Sequence, residues 1–506
     1  MNEKAHREDD RQTDRQTDRQ TTDNPKLFIT FLLIHLVVWS SIGLIRTVLP
    51  TDSLEGIFWG SLHDFGTPKH PPLAGWLTYL AFLPFKSDFC VYLLSQLFIV
   101  GGFIFIYKLA KYFLDETASM LSVIVLEGCW IYSYITGYYG FNPDVVLLLV
   151  LPMIAYYFYK CVHFEKPLDW LILGVTVGFA FLNKYQTALV ILPMFIWTFL
   201  FRKQVFKNKF FYISMIIAFL IFLPHICWLI KYEFLPFMYY EGELEDTGWL
   251  NHITAPLLFL IMQITVTIGS LLIFAITKIK FNSPFKLREN IKAEDAWFLI
   301  LLGFVSFFAH LIVGIIEGGT MRPRWGFEFW FLLGITLFYF FPFKEITKQE
   351  FKFILKSAYV VMFIIFLSLG TLLSVEKNYR SRYPVATIYS DMQKAWSKKC
   401  NTPIKYVGGY IEWSLPITIY TDSHPATILD TFGYKNPWLD ENDMKANGVL
   451  VIDRTKDKVI NQTFKSCPYL PKDFVVEPVP YSFELTNAFG QPRTYDIYYY
   501  IVTPQK

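Results

Sequence analysis

Charged residues are scarce in this sequence. Asp, Glu, Lys and Arg make up 18% of the 506 residues, whereas soluble domains carry about 25%. The formal net charge is +3, and the lysines and arginines are scattered along the chain. Because nucleic-acid-binding surfaces are clustered basic patches, the sequence does not indicate a nucleic-acid partner.

Three motifs with well-understood chemistry are also missing. The chain has no Walker A sequence, no HExxH and no CxxC pair, which argues against an ATP-driven pump, a membrane zinc protease and a zinc ribbon. We predict no metal site and no required cofactor, and leave a role for a divalent metal open. Cys400 and Cys467 follow the last apolar run. They form a disulfide in an oxidising compartment or stay as two buried thiols.

Long apolar runs, in contrast, are abundant, and 53% of the residues are hydrophobic. Runs such as "LFITFLLIHLVVWSSIGL" are long enough to cross roughly 30 Å of hydrocarbon. The sequence therefore predicts a polytopic α-helical membrane protein with about eleven transmembrane helices. The predicted spans are 27–48, 90–107, 118–137, 144–160, 168–183, 185–201, 210–230, 253–277, 296–316, 326–343 and 353–375.

The distribution of Lys and Arg predicts the orientation. These residues concentrate in alternate loops, which places the N-terminus in the cytoplasm and, with an odd number of spans, the C-terminus outside. We predict a disordered cytoplasmic tail (1–25), a transmembrane domain (26–375) with a first outer loop at 49–89, and a small α/β extracytoplasmic domain (376–506). In that last domain "IKYVGGY", "ITIY" and "GVLVID" indicate strands and "DMQKAWSKK" a helix.

The first outer loop contains an unusual stretch, "HDFGTPKHPPLAGWL", with Asp52 and Glu55 shortly before it. A helix from Asp52 to Leu62 would place both carboxylates on one face and would lie along the membrane surface with Phe58 and Trp59 in lipid. We predict that Asp52 and Glu55 are catalytic. The alternative is a re-entrant loop with solvated charges.

Further polar side chains fall at the predicted outer ends of later spans. Carboxylates can take a proton from a hydroxyl group, and lysines and arginines suit a phosphate. Two alternatives stay open: Asp144 as a helix N-cap and Lys184 as a snorkelling side chain. The predicted substrate-binding residues are His70, Asn142, Asp144, Lys184, Tyr185, Arg322 and Arg324.

The order of these motifs resembles a known family. A span, acidic residues, "HPPL", "NPDVVLLL" and "NKYQTALV" follow one another over about residues 27–345. This order is similar to that of family 39 membrane glycosyltransferases, which include protein O-mannosyltransferases and the lipid A aminoarabinose transferase. The resemblance implies a GT-C fold and transfer, with inversion, of a sugar from a polyprenyl-phosphate donor at the outer face.

The resemblance also implies roles for particular residues. Asp52 corresponds to the first acidic residue of the family's outer loop, but Ser53 stands where a second acidic residue is common, so that Glu55, one turn on, is the candidate to replace it. "HPPL" at His70 corresponds to the turn motif. The remaining correspondences are Asp144 with an acidic residue of the second outer loop, Lys184 with the lysine of a "KY" pair, and Arg322 and Arg324, loosely, with donor-phosphate cations.

Besides a structural or assembly subunit, two classes of function fit the sequence. The first is an inverting glycosyltransferase of the bacterial inner membrane that acts on lipid A, lipopolysaccharide or another extracytoplasmic acceptor. Its partners are the polyprenyl-phosphate sugar, a lipid or glycan acceptor and membrane lipids. The alternative is a transporter or flippase of lipid-linked sugars.

Overall fold

The computed structural model describes residues 24–238, 248–319, 321–375, 382–429, 436, 438–486 and 490–505. The predicted tail lies outside the described residues except for its last two positions, where the first membrane helix already begins at Asn24. The predicted start of the C-terminal domain, at residue 376, also lies outside them.

Most of the described chain up to residue 375 is helical. Seven helices there are long and apolar enough to cross a membrane, and a bent pair, Glu116–Gly128 and Trp130–Tyr139 with a 78° angle between its halves, would make an eighth. The chain is thus a multi-pass helical membrane protein. The seven are Asn24–Leu44, Asp88–Ala110, Pro143–Phe164, Lys209–Lys231, Asn251–Lys280, Ala293–Glu317 and Lys348–Val375.

The predicted number of eleven spans is not confirmed. Every predicted span coincides with an apolar helix, but Pro167–Phe181, Tyr185–Phe201 and Trp330–Phe340 are shorter than the rest. At about 1.5 Å per residue such helices are roughly 17–26 Å long, less than the hydrocarbon thickness. Their length alone is therefore not sufficient to cross a membrane.

The loop predicted to be the first outer loop contains the two short helices Thr51–Ser61 and Leu73–Phe82. They touch closely, because a Cβ atom on Gly60 would lie 2.2 Å from the carbonyl oxygen of Gly75. The predicted helix carrying Asp52 and Glu55 is therefore present. Its aromatic residues do not face lipid as predicted: Phe58 and Trp59 are buried, and Phe58 packs edge-on against Trp438 of the C-terminal domain at 5.4 Å.

The C-terminal domain has a five-stranded sheet with the order β2-β1-β3-β5-β4. β1 pairs in parallel with β2 and β3, whereas β5 pairs antiparallel with β3 and β4. The strands are β1 Tyr406–Gly409, β2 Ala426–Thr427, β3 Val449–Asp453, β4 Val479–Thr486 and β5 Pro492–Val502. The helices are Val385–Ser397, Ile411–Tyr420, Glu441–Asn447 and Lys456–Ser466.

The sequence-based predictions for this domain are partly confirmed. "YVGG" and "VLVID" are strands, and the helix predicted at "DMQKAWSKK" is present in Val385–Ser397. "ITIY" is wrong, because it forms the end of the buried helix Ile411–Tyr420; a short apolar run fits either structure. Cys400 and Cys467 are both free and buried, so that the thiol alternative holds.

The C-terminal domain docks on the outer loop through Tyr420. Its hydroxyl donates to the carboxylate of Asp88, 2.9 Å from each oxygen, and accepts from the backbone N–H of Leu49 at 2.9 Å. Leu49 lies just ahead of the helix that carries Asp52. The docking contact thus fixes the start of that helix.

We expect Tyr420→Phe to destabilise the protein by about 1–2 kcal/mol, because it leaves the half-buried carboxylate of Asp88 without its hydroxyl donor. The matched control is Tyr481→Phe, whose hydroxyl donates to Asp391 at 3.0 Å on a more open surface. Thermal unfolding of the detergent-solubilised protein measures both. Equal losses in the two variants would contradict this account of the docking.

Candidate functional site

Four charged side chains from four separate segments meet at one end of the helices. We call Asp52, Asp144, Lys184 and Arg324 the charged cluster. Arg324 lies between the two carboxylates: its Nη1 is 2.6 Å from Oδ2 of Asp52 and its Nε is 3.6 Å from Oδ2 of Asp144. Lys184 completes the cluster through an ion pair with Oδ1 of Asp144. The structure thus brings together residues up to 272 positions apart.

Local structure presents each member of the cluster. Asp52 lies in the first turn of Thr51–Ser61, and Asp144 lies in the first turn of Pro143–Phe164. Lys184 occupies extended backbone between two helices, and Arg324 lies in a 3-10 helix.

Arg324 is a permanent cation at the centre of this site. Burial alone would lower the pKa of its guanidinium, but the neighbouring charges of Asp52 and Asp144 outweigh burial and raise the pKa above its ordinary value. Its guanidinium also lies over the ring of Tyr139, 5.1 Å from the centroid, which is a favourable cation–π distance. Arg324 is therefore fixed from two sides.

Exposure differs across the charged cluster. The side chain of Asp52 is 30% exposed and that of Arg324 18%, whereas those of Lys184 and Asp144 are 14% and 7% exposed. Asp52 is therefore the most accessible side chain of the cluster and Asp144 the least accessible.

Asn142 links the two carboxylate-bearing helices. Its Oδ1 accepts hydrogen bonds from the backbone N–H groups of Asp144 and Val145, at 2.9 and 3.2 Å, and its Nδ2 donates to Asp52 at 3.4 Å. Asn142 is thus the helix N-cap, and the alternative that made Asp144 the cap is wrong. With the cap supplied by its neighbour, the Asp144 carboxylate is left for the cations.

Glu55 is buried one helical turn beyond Asp52 and forms an ion pair with Lys69. Burial raises the pKa of Glu55, while the charge of Lys69 opposes the rise. Lys69 also lies 5.8 Å from the ring centroid of Trp59. The sequence-based analysis did not include Lys69 among the site residues. Lys69 lies on a predicted outer loop, where lysines and arginines are usually scarce, and this unusual position could have identified it as a site residue.

Ser53, where a second acidic residue is common in the family, has a structural contact. Its hydroxyl donates to the backbone carbonyl of Phe141 at 2.9 Å. This bond joins the helix of Asp52 to the turn just before Asn142. Ser53 therefore holds the two carboxylate-bearing segments in register.

His70 is half-buried beside the cluster. Burial, and then the charges of Lys184 and Lys69, lower the pKa of His70 to about 3. The imidazole is consequently neutral at physiological pH. Its backbone carbonyl accepts from the N–H and hydroxyl of Thr67 at 3.1 and 2.8 Å, which closes the turn before the prolines.

This depressed pKa predicts a pH dependence of stability. In the unfolded chain His70 binds a proton below about pH 6.5, whereas in the folded protein it does so only near pH 3. The unfolded state therefore gains a proton first, so that stability present above pH 6.5 is lost as the pH falls towards 3. We expect the melting temperature of the wild type to fall more between pH 7 and 4.5 than that of His70→Gln. An equal fall in melting temperature for the two proteins would contradict the lowered pKa of His70.

Tyr185 and Arg322 do not join the charged cluster in the same way. The Tyr185 hydroxyl donates to Nε2 of His225 at 2.7 Å, and Nδ1 of His225 faces the carbonyl oxygen of Phe65 at 2.7 Å. His225 thus fastens the loop that follows Thr51–Ser61 to the membrane helix Lys209–Lys231, and Tyr185 holds the imidazole of His225 in place. Arg322 is exposed, two positions before Arg324.

Within the described residues, no group of three or more His, Cys, Asp or Glu side chains is arranged to hold a metal ion.

Comparisons with known proteins agree with this architecture. The family model described as dolichyl-phosphate-mannose-protein mannosyltransferase matches residues 69–228. ArnT from Cupriavidus metallidurans bound to undecaprenyl phosphate superposes with a TM-score of 0.62 at 12% identity, covering 94% of this chain and 99% of that chain. Its apo state gives 0.60 with the same identity and coverage. No curated protein matches the sequence.

The likeness extends over nearly the whole length of both chains. The chain therefore has the fold of ArnT, a GT-C membrane fold that here includes the C-terminal α/β domain. The resemblance to family 39 and related membrane glycosyltransferases, inferred from the motif order, is confirmed.

Proposed function

We propose that the protein is an inverting glycosyltransferase that moves a monosaccharide from a polyprenyl-phosphate donor to lipid A, lipopolysaccharide or another acceptor at the outer face of the bacterial inner membrane. The observation that carries this proposal is the charged cluster. It combines an accessible carboxylate, Asp52, with two cations, Arg324 and Lys184, at one end of the helices.

The cations suit the phosphate of the donor. Arg324 has a planar guanidinium that forms paired hydrogen bonds with carboxylates or phosphates, and Lys184 adds a second positive charge. A phosphate that enters the site would compete with the carboxylates for these groups. As the bond between sugar and phosphate breaks, negative charge grows on the phosphate, and fixed cations lower the energy of that transition state.

Asp52 suits the acceptor. A hydroxyl acceptor must lose a proton as it attacks the sugar, and Asp52 would accept that proton. If the acceptor is itself a phosphate, no proton needs to be removed and Asp52 would orient the reacting groups. Direct attack opposite the leaving phosphate inverts the sugar and requires no covalent enzyme intermediate.

The comparisons support a lipid-phosphate donor. The crystal structure of ArnT contains undecaprenyl phosphate, and the matching family model is described by a dolichyl-phosphate sugar. The outer compartment also lacks nucleotide sugars, so that a lipid-linked donor is the consistent choice. The basic loops at the opposite end of the helices, such as Arg202, Lys203 and Lys207, support a cytoplasmic location for that end.

A reconstituted assay tests the proposal. Purified protein in liposomes is given undecaprenyl phosphate linked to radiolabelled glucose, mannose, galactose or arabinose, together with lipid A or lipopolysaccharide. We expect label on the acceptor and release of undecaprenyl phosphate with at least one donor. Movement of intact donor across the bilayer without bond cleavage would instead support a transporter. Mass spectrometry of envelope glycolipids, from cells with and without the gene, identifies the natural acceptor and sugar.

A further inference from the structure

A second, mostly neutral group of side chains adjoins the charged cluster at its buried end. We call Gln186, His310 and Glu328 the buried polar cluster. Gln186 lies two residues after Lys184, and Glu328 four residues after Arg324. The Glu328 side chain is only 1% exposed and that of His310 5%. Burial raises the pKa of the Glu328 carboxyl to about 8, while the nearby charge of Lys184 opposes the rise and that of Asp144 adds to it. The mechanism above uses none of these three residues.

The hydrogen bonds of His310 fix the orientation of its neighbours. Its Nδ1 faces the backbone carbonyl oxygen of Ser306 at 2.7 Å, so that this nitrogen carries the ring proton. Its Nε2 then accepts, and the side-chain Nε2 of Gln186 donates to it at 3.1 Å. The amide oxygen of Gln186 must consequently point away from His310.

Two buried acceptor oxygens are left without a donor. Oε1 of Gln186 and Oε2 of Glu328 are both buried and have no hydrogen-bond partner among the described residues. His310 does not donate a hydrogen bond to Glu328. Its Nε2 is 4.0 Å from Oε2 of Glu328, and this nitrogen accepts a hydrogen bond and carries no proton. Buried polar atoms are nearly always paired, so that both oxygens require donor groups from elsewhere.

The position of these oxygens indicates what supplies the donors. Glu328 is close enough to Lys184 and Asp144 for both charges to act on its carboxyl, and it is less exposed than any member of the charged cluster. A donor whose phosphate contacts Arg324 and Lys184 carries its sugar a few ångströms from that phosphate. Sugars present several hydroxyl groups, each of which can donate a hydrogen bond to an amide or carboxylate oxygen.

We propose that Glu328 and Gln186 recognise hydroxyl groups of the sugar on the lipid-linked donor and set the sugar specificity. This inference rests on the proposed function, because it requires a polyprenyl-phosphate sugar in the site. A sugar whose hydroxyl groups do not reach these two oxygens would bind less tightly, because the oxygens would then stay buried without hydrogen bonds.

The test compares donor binding by the full-length protein and by Glu328→Gln, with Glu317→Gln as the matched control at the exposed end of a neighbouring helix. The probes are undecaprenyl phosphate alone and the same lipid linked to glucose, mannose, galactose or arabinose. We expect the wild type to bind at least one sugar-linked lipid more tightly than the bare lipid. Glu328→Gln should lose that preference by about tenfold, as expected when a buried hydrogen bond is lost, while its affinity for undecaprenyl phosphate stays unchanged.

Gln186→Leu is the second variant. It removes the other acceptor without touching the carboxylate and should also weaken binding of the preferred sugar-linked lipid alone. Equal loss for bare and sugar-linked lipids would show a structural role and overturn the inference. Unchanged preference in both variants, or a wild type that binds all five lipids equally, would overturn it as well. A wild type that binds none of them would instead overturn the proposed function.

Discussion

Asp52→Asn is expected to abolish sugar transfer, with the turnover number falling by about 10²- to 10⁴-fold, the usual contribution of a positioned proton acceptor. The substitution keeps the size of the side chain and removes its charge. Asp52 is the most exposed member of the charged cluster, so that the acceptor reaches it before the buried Asp144. Transfer from the preferred undecaprenyl-phosphate sugar to the sugar hydroxyl groups of lipopolysaccharide in liposomes measures the effect.

The same preparation provides the controls for this variant. Binding of undecaprenyl phosphate and the melting temperature should stay close to the wild-type values, because Asn keeps a hydrogen-bonding oxygen for Arg324. Asp64→Asn, on the same loop, changes a carboxylate that accepts from the backbone N–H of Phe65 at 2.8 Å, and its transfer rate should change by less than about twofold. Near-wild-type transfer by Asp52→Asn would contradict the assigned role.

Arg324→Met is expected to eliminate transfer and to destabilise the protein. Arg324 separates Asp52 from Asp144 and is bonded to the first of them at 2.6 Å. Without it two carboxylates face each other with one remaining cation, Lys184. Removing one partner from a buried ion pair typically costs about 3–5 kcal/mol; since Asp52 is 30% exposed, we expect about 2–3 kcal/mol here. Thermal unfolding and the transfer assay measure the two effects.

Two further variants separate charge from geometry at this position. Arg324→Lys keeps the charge but offers no planar fork, so that it should recover most of the stability and little of the activity. Adding Asp144→Asn to Arg324→Met should restore part of the lost stability, because it removes one of the facing charges. Strictly additive losses in the double variant would show that Arg324 and Asp144 are not coupled, against the 3.6 Å contact between them.

Periodicity and length explain which parts of the fold the sequence predicts. Apolar runs located every membrane helix, because a span requires a continuous hydrophobic stretch. They did not settle the number of crossings, since Tyr185–Phe201 and Trp330–Phe340 are apolar but short. The segment "ITIY" was misassigned for a related reason: a fully buried helix and a buried strand show the same apolar run. Strands β4 and β5 were not predicted. Most of their residues are exposed or half-buried, so that they lack the regular buried alternation that indicates a strand.

The candidate site was also predicted only in part: its residues were identified, but not their contacts. Motif order and topology predicted that Asp52, Asp144, Lys184 and Arg324 share one face, and the structure brings them together. The partner of each side chain was not predictable, because it depends on packing between distant segments. Glu55 is paired with Lys69, and Tyr185 is bonded to His225. The local cap at Asn142 was misread because both Asn and Asp are good caps, and only the backbone geometry selects one.

Accessibility labelling of the site-bearing loop tests the central claim, that this end of the helices faces the outside. Phe85→Cys places a thiol on the first outer loop, where Phe85 is 77% exposed, and Leu287→Cys places one on a basic loop at the other end, where Leu287 is 56% exposed. A membrane-impermeant maleimide is applied to spheroplasts, with the labelling of the unmodified chain subtracted. We predict that Phe85→Cys is labelled at once and Leu287→Cys only after permeabilisation. The reverse order would place the charged cluster in the cytoplasm and contradict the account.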